Sequence, residues 1–199
     1  MDSALKVVFL SGFVVVTVIR GWYARRHPKD AIADSRKEGL AMWSLMSLWG
    51  ATQLIAMVYV LTPWLDVADY HLPTFAGLVG ATTYVVALGL LWRSHVDLGR
   101  NWSAMLEIRK EHTLVTQGTY RTVRHPMYAA HWLWVIAQPL LLQNWIAGPP
   151  ALAVFLLLYL LRAPREEQMM LDRFGAQYRL YMNRTGRVIP RLWSKSSDA

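Results

Sequence analysis

The apolar residues of the chain fall into long blocks that are separated by polar stretches. Five blocks come close to the roughly 20 residues that a helix needs to cross the hydrocarbon core of a bilayer. They cover approximately Ala4 to Tyr23, Leu40 to Leu61, Pro73 to Trp92, Met127 to Trp145, and the residues from Ile146 onward. This pattern predicts an all-α, polytopic integral membrane protein with about five transmembrane helices.

The fifth block is the shortest. It holds about a dozen apolar residues from Pro150 to Leu161, which as a helix would extend only about 18 Å at 1.5 Å per residue. We therefore expect this helix to tilt and to run on into the cytoplasm. Beyond it, apolar residues recur at helical spacing and predict an amphipathic C-terminal segment; they are Met170, Phe174, Tyr178 and Tyr181.

A polar stretch of about thirty residues, from Arg93 to Pro126, separates the third and fourth blocks. Loops of this length are usually either functional or disordered. Its apolar residues, among them Trp102, Leu114 and Tyr120, favour burial, so we expect short elements packed over the cytoplasmic ends of the spans. We interpret residues 1–199 as one membrane domain, with three scaffold spans in 1–92 and the catalytic part in 93–199.

The charge distribution predicts the orientation. Twenty of the 21 Lys and Arg residues lie in the stretches 20–37, 93–124 and 162–195, whereas the connections 62–72 and 143–150 contain none. The positive-inside rule then places the N-terminus outside and the C-terminus and candidate site in the cytoplasm. The net charge of +8 accordingly indicates contact with anionic membrane lipids and no nucleic acid partner.

The candidate chemistry begins at the motif Arg124-His125-Pro126-Met127-Tyr128, where the polar stretch meets the fourth block. Proline suits the first turn of a helix, and the open amides of that turn favour an anion. Downstream, Arg162 and Glu166 would lie one helical turn apart on one face. Taken alone, the motif also fits a polar helix start at the membrane surface, and the pair also fits a snorkelling arginine beside a solvated carboxylate.

Several other kinds of site are disfavoured. The chain has no cysteine, no glycine-rich nucleotide loop, no H-E-x-x-H pair and no G-x-S-x-G turn. His125 and His131 are six residues apart, which does not suit a shared metal on one helix face, so we predict no metal site. We interpret His131 as an interior residue. What remains is a cytoplasm-facing pocket between the polar stretch and helices four and five, suited to a polar cofactor meeting a lipid.

Separated motifs across about the last hundred residues agree with one family in order and spacing. They are Leu98-Gly99, Asn101-Trp102-Ser103, His112-Thr113-Leu114-Val115, Gly118-Thr119-Tyr120, the motif at 124–128, Glu166-Glu167, Phe174-Gly175, Tyr178, Tyr181 and Pro190. In these features the chain resembles the isoprenylcysteine carboxyl methyltransferase family. The five-span layout also resembles the compact prokaryotic members of that family.

This resemblance implies an S-adenosylmethionine-dependent enzyme that O-methylates the carboxylate of a prenylated cysteine or a similar lipid-linked acceptor and releases S-adenosylhomocysteine. The acceptor would enter from the membrane between helices. Arg162 and Glu166 would be the catalytic residues, with Arg162 facing the acceptor carboxylate together with the weaker candidates Glu107, Asn101 and Trp102. The resemblance implies a donor site formed by His112, Thr113, Leu114, Val115, Tyr120, His125, Pro126, Met127, Tyr128 and Glu166, and gives Glu167 no definite role.

The residue chemistry agrees with these roles. The first amides of helix four and His125 suit the donor carboxylate, Glu166 suits its ammonium or hydroxyls, and an aromatic face such as that of Tyr128 suits the sulfonium. Three alternatives stay open. The first is a methyltransferase for a phospholipid amine or a small thiol, in which His125 or Glu166 would remove a proton. The second is an NADPH-dependent sterol-type membrane reductase. The third is a non-catalytic lipid-binding membrane protein.

Overall fold

The structure, a computed structural model, describes residues 2–25, 32–35, 39–102, 107–109 and 113–191, and within them the chain is predominantly helical. Its helices are α1 (Asp2–Arg25), α2 (Leu40–Leu61), α3 (Thr74–Leu98), α4 (Pro126–Leu142), α5 (Pro149–Phe174) and α6 (Ala176–Arg184). The predicted helical membrane architecture is confirmed. A short antiparallel pair of strands, β1 (Ile32–Ser35) and β2 (Glu107–Arg109), adds to it and joins the connection after α1 to the polar stretch after α3.

Three helices of the described chain are long and apolar enough to cross a membrane. They are α1 (from Ser3 to Arg25), the whole of α2 and the whole of α3. In the most apolar window of each helix, only 22–28% of the residues are buried inside the protein. Many of their exposed side chains are large and apolar, as expected where the surrounding solvent is lipid. Helix α4 has only 17 residues, and α5 carries charges from Arg162 onward, so the spanning of these two helices stays a prediction.

The core lies where α1, α3 and α4 meet. Tyr84 of α3 stacks on Phe9 of α1 at 5.5 Å between ring centroids and meets Trp134 of α4 edge-on at 4.9 Å. The Tyr84 hydroxyl donates a 3.1 Å hydrogen bond to the Phe9 carbonyl oxygen. Gly80 permits the close approach of α3 to α4, because a Cβ atom there would lie 2.7 Å from the Leu140 Cβ. These contacts fix the frame on which the site is built.

Helices α4 and α5 form a tight hairpin. Gln143 adopts a left-handed conformation with φ of 48° and ends α4. The Asn144 side-chain oxygen accepts hydrogen bonds from the backbone N–H groups of Ile146 and Ala147, while its Nδ2 donates to the Leu65 carbonyl oxygen at 2.7 Å. These bonds build a tight turn that sets α4 and α5 side by side.

Helix α5 is one continuous helix of 26 residues that includes Pro164. At 1.5 Å per residue it is about 39 Å long, so it continues well past its apolar part, as predicted. Gly175, at φ of 53°, ends α5 and starts α6. Helix α6 then packs Tyr178 and Tyr181 inward, and the Tyr181 hydroxyl donates to the Tyr120 carbonyl oxygen at 2.6 Å. The C-terminal helix is thereby attached to the polar stretch that precedes α4.

Candidate active site

A cavity of about 450 Å³ lies between α1, α2, α4, α5 and the polar stretch after α3. This volume falls within the range of roughly 300–1,000 Å³ that is typical of small-molecule sites. Its apolar wall comes from α2 and α5 and includes Met46, Trp49, Phe155 and Leu158. Its polar wall comes from the start of α4, the second half of α5 and residues 113–120. A cavity with these two walls suits a polar ligand beside an apolar one.

Glu166 is the centre of the polar wall. Its Oε1 accepts a 2.7 Å hydrogen bond from the Tyr128 hydroxyl and a 3.0 Å bond from Nε of Arg162. Its Oε2 lies 3.7 Å from Nδ1 of His125. About a quarter of the Glu166 side chain is exposed, at 24%. Four residues that the sequence singled out therefore form one connected cluster that opens into the cavity.

Glu167, the next residue, faces a different set of partners and is only 4% exposed. It accepts hydrogen bonds from Nε of Arg124 at 3.0 Å and from the guanidinium of Arg187. Its Oε1 also lies 3.3 Å from Nε2 of His125. Burial alone would raise the pKa of Glu167, but the bonds from His125, Arg187 and Arg124 outweigh it and hold the pKa far below its usual range. Glu167 thus joins α5, the start of α4 and the residues that follow α6 (185–191), which we call the C-terminal segment.

The start of α4 is fixed by the backbone as well. The N–H groups of Arg124 and His125 donate to the carbonyl oxygens of Gly186 and Arg187 at 2.8 and 2.9 Å. Pro126 occupies the first turn of the helix, as the sequence predicted. The C-terminal segment therefore holds the residues just before α4 in place, which positions His125 and Tyr128 at the cavity.

Residues 113–120 form a further part of the cavity wall. The Thr113 N–H donates to Oδ1 of Asn101 at 3.2 Å, and Nδ2 of Asn101 donates back to the Thr113 hydroxyl at 3.1 Å. The Thr119 N–H donates to Oδ2 of Asp97 on α3 at 2.7 Å. Burial raises the pKa of Tyr120, whose hydroxyl is therefore neutral. This segment consists of short, anchored elements, as predicted.

Most of the predicted site residues come together around the cavity. Those that line it are Asn101, Trp102, Thr113, Leu114, Val115, Tyr120, His125, Met127, Tyr128, Arg162 and Glu166. Pro126 is buried at the start of α4 and does not line the cavity. His112 lies outside the described residues, and Glu107 belongs to β2, where only the backbone is described. No group of three metal-ligating side chains occurs among the described residues.

Several lining residues were not predicted from the sequence, among them Arg20 on α1, Met46 and Trp49 on α2, and His131 on α4. The first two helices therefore form part of the cavity wall in addition to packing. His131 stacks on Phe155 at 5.6 Å, and its Nδ1 is 2.7 Å from the Met127 carbonyl oxygen. Its position three residues after Tyr128, on the same helical face, was the signal that could have identified it.

Comparison with known proteins gives a consistent result. Residues 79–172 match the isoprenylcysteine carboxyl methyltransferase (ICMT) family. Protein-S-isoprenylcysteine O-methyltransferase B of Arabidopsis thaliana is 29% identical over 176 residues, which cover 82% of this chain and 87% of that protein. A probable protein-S-isoprenylcysteine O-methyltransferase of Oryza sativa subsp. indica is 27% identical over 129 residues, which cover 63% of this chain and 65% of that protein.

A solved structure of a eukaryotic intramembrane Ras methyltransferase, ICMT, has the same fold. It aligns with a TM-score of 0.54 and 22% identity over 92% of this chain and 62% of that one. The helices and cavity described above are those of a polytopic membrane protein with a polar site at one end. The chain is thus similar to the isoprenylcysteine carboxyl methyltransferase family over residues 79–172, and its fold is that of a solved membrane methyltransferase.

Proposed function

We propose that this protein transfers a methyl group from S-adenosylmethionine to the carboxylate of a prenylated cysteine or a similar lipid-linked acceptor. The cluster formed by Tyr128, Arg162 and Glu166 carries this proposal, because it places a carboxylate and a guanidinium where the polar and apolar walls meet. A donor with a charged amino acid end and an acceptor with an apolar tail and a charged head both find a complementary surface there.

The residues present suit the donor. Glu166 would accept from its ammonium or ribose hydroxyls, and the segment from Thr113 to Val115 would contact it largely through backbone groups. The aromatic face of Tyr128 would stabilise the sulfonium. When bound, S-adenosylmethionine supplies an electrophilic methyl group on that sulfonium. The buried cluster around Glu167 holds these residues in position before any ligand binds.

The acceptor would lie across the two walls. Its prenyl tail would contact Trp49, Phe155 and Leu158, and Arg162 would orient its carboxylate. A carboxylate is ionised and nucleophilic at neutral pH, so no general base is needed. One of its oxygens forms the bond to the methyl carbon, and the electron pair of the breaking carbon–sulfur bond stays on sulfur. The protein contributes alignment of the two ligands and exclusion of water from the cavity.

Isothermal titration of the protein in detergent with S-adenosylhomocysteine and with NADPH tests the cofactor directly. We expect micromolar binding of S-adenosylhomocysteine and a loss of about tenfold or more in Glu166→Gln, because a hydrogen-bonded charge is removed. Asp172→Asn, an exposed carboxylate on the same helix, is the matched control. Binding of NADPH alone would favour a reductase, and binding of neither by folded protein would favour a non-catalytic role.

Turnover with labelled donor and a prenylcysteine then tests the acceptor. Arg162→Ala is expected to abolish methyl transfer while retaining S-adenosylhomocysteine affinity, whereas Glu166→Ala is expected to weaken the affinity itself. Normal binding and turnover in both variants would contradict the assignment of these two residues.

His131 favours a second candidate function, methylation of an amine or thiol. A carbonyl oxygen can only accept, so Nδ1 carries the proton that is shared with the Met127 oxygen. His131 lines the cavity, and with the proton on Nδ1 its Nε2 is an acceptor. It would accept the proton of a neutral nucleophile. Loss of thiol or amine methylation in His131→Phe, with carboxylate methylation retained, would support this candidate.

We also infer that the cavity opens to the cytoplasm, on the basis of the charge distribution. The chain contains no cysteine, so single cysteines can be introduced for labelling. Gln177→Cys on α6 should be protected from a membrane-impermeant thiol reagent in intact cells, whereas Val67→Cys in the connection before α3 should be labelled. The reverse result would invert the orientation.

A further inference from the structure

Among the described residues, the side chains that line the cavity carry more positive than negative charge. They include three arginines, Arg20, Arg124 and Arg162, and one carboxylate, Glu166. Arg124 has partners of its own: its Nε donates to Glu167 at 3.0 Å, and its Nη1 donates to the carbonyl oxygens of Met182 and Thr185. Nε of Arg162 donates to Glu166 at 3.0 Å. One positive charge, that of Arg20, is left without a carboxylate among the described residues.

Arg20 comes from α1, whereas Arg162 comes from α5. The guanidinium carbon of Arg20 lies 5.9 Å from the ring centroid of Trp102, which is itself only 4% exposed. Trp102 packs against His95 of α3 at 5.1 Å, so the aromatic surface under Arg20 is fixed. Arg162 of α5 lines the same cavity as Arg20. The two guanidinium groups thus face one space from different helices.

Two like charges held together in a partly dry cavity are unfavourable unless an anion joins them. A cation–π contact with Trp102 offsets only part of this cost. The methyl donor has one carboxylate, which would be bound by the first amides of α4 and by His125 and so would not pair with Arg20. The remaining ligand of the proposed reaction, the acceptor, is therefore the source of the anion.

We propose that Arg20 is a second acceptor-binding residue, which together with Arg162 holds the carboxylate of the acceptor between α1 and α5. This inference rests on the proposed function and deepens it. Two guanidinium groups give the site a strong preference for an acceptor with a free carboxylate over one whose carboxylate is an ester or an amide. Methyl transfer converts that carboxylate into a neutral ester, so the reaction removes the charge that both arginines attract and favours release of the product.

Initial rates with a prenylcysteine, at saturating S-adenosylmethionine, test this role in Arg20→Gln. We expect the KM for the acceptor to rise roughly 10- to 100-fold, as for the loss of one hydrogen-bonded charge. The Kd for S-adenosylhomocysteine should stay within about twofold of that of the wild type, and Arg20→Lys should restore part of the KM. The matched control is Arg25→Gln, an exposed arginine near the end of the same helix, which should change neither constant.

The outcomes separate this inference from the function on which it rests. An unchanged acceptor KM in Arg20→Gln, or an equal loss of acceptor and S-adenosylhomocysteine affinity, would overturn the role of Arg20 while the wild-type enzyme remains active. A wild-type protein that neither binds S-adenosylhomocysteine nor methylates a prenylcysteine would overturn the proposed function itself. If the glutamine variant does not fold, Arg20→Met, which keeps the apolar contact with Trp102, provides the same comparison.

Discussion

Replacement of Glu167 by glutamine should destabilise the protein strongly, although Glu167 does not line the cavity. The wild-type carboxylate is enclosed by Arg124, His125 and Arg187. Glutamine preserves the size of the side chain and one acceptor oxygen, but it removes the negative charge. The Arg124 side chain, which is 10% exposed, would then remain buried without its counter-ion.

The expected size of the effect follows from this burial. Removing one partner of a buried ion pair typically costs about 3–5 kcal/mol, because the other charge stays desolvated. The Arg187 side chain is 44% exposed and is largely screened by water, so we take the lower end, about 3 kcal/mol. For a protein of 150–250 residues this free energy corresponds to a decrease of roughly 6–12 °C in Tm.

Thermal unfolding in detergent, followed by intrinsic tryptophan fluorescence, measures this decrease. Asp172→Asn is the matched control, since Asp172 is an exposed carboxylate on the same helix whose bond to Gln168 lies at the surface. Its Tm should change by no more than about 2 °C, as expected for a surface interaction. The double variant Arg124→Gln/Glu167→Gln should be less destabilised than the sum of the single variants, because it leaves no buried Arg124 charge without its counter-ion.

A Tm of Glu167→Gln that matches that of Asp172→Asn would refute the reasoning, because it would mean that the buried cluster contributes no more than a surface pair. Additive effects of Arg124→Gln and Glu167→Gln would likewise show that the two side chains do not interact.

Three further predictions follow from the described contacts. The stability advantage of wild type over Glu167→Gln should be complete above the usual glutamate pKa of about 4.3. It should decrease as the pH falls towards the lower pKa of Glu167 in the folded state. A series of Tm values at different pH measures the direction of this change. Tyr128→Phe removes a 2.7 Å bond to Glu166 and should weaken S-adenosylhomocysteine binding about tenfold by calorimetry, and an unchanged Kd would exclude the hydroxyl from the donor site. Gly80→Ala should lower Tm by several degrees, because its Cβ would lie 2.7 Å from a side-chain atom of α4, whereas Gly89→Ala, with nothing within 4 Å, should not.

The polar half of the site could be predicted from the sequence because local rules determine it. Proline at position 126 marks the first turn of α4, which brings His125 and Tyr128 to the helix end. The spacing of Arg162 and Glu166 places them one turn apart, and their side chains do form a 3.0 Å bond. Each of these inferences depends on residues close together in the chain.

The other half could not be predicted because its signals are ambiguous in a membrane protein. In the sequence, Arg20 lies near the end of an apolar block and cannot be distinguished from any other arginine that follows the positive-inside rule. Only the packing of α1 against the core shows that Arg20 faces the cavity. Similarly, Trp49 lines the cavity while Trp43 is 47% exposed on the same helix. A helix in lipid is apolar on every side, so its hydrophobic pattern does not reveal which face is inward.

The adjacent carboxylates Glu166 and Glu167 separate ligand binding from structural support while keeping the two coupled. Consecutive residues of a helix point about 100° apart, so one carboxylate faces the cavity while the other faces the C-terminal segment. His125 contacts both, through Nδ1 at 3.7 Å from Glu166 and through Nε2 at 3.3 Å from Glu167. Glu166 is therefore linked to Arg187 through His125 and Glu167. A ligand that binds Glu166 should affect the position of His125 and, through Glu167, that of Arg187. Donor binding should accordingly protect the C-terminal segment from proteolysis, and Arg187→Gln should weaken donor binding without contacting the donor.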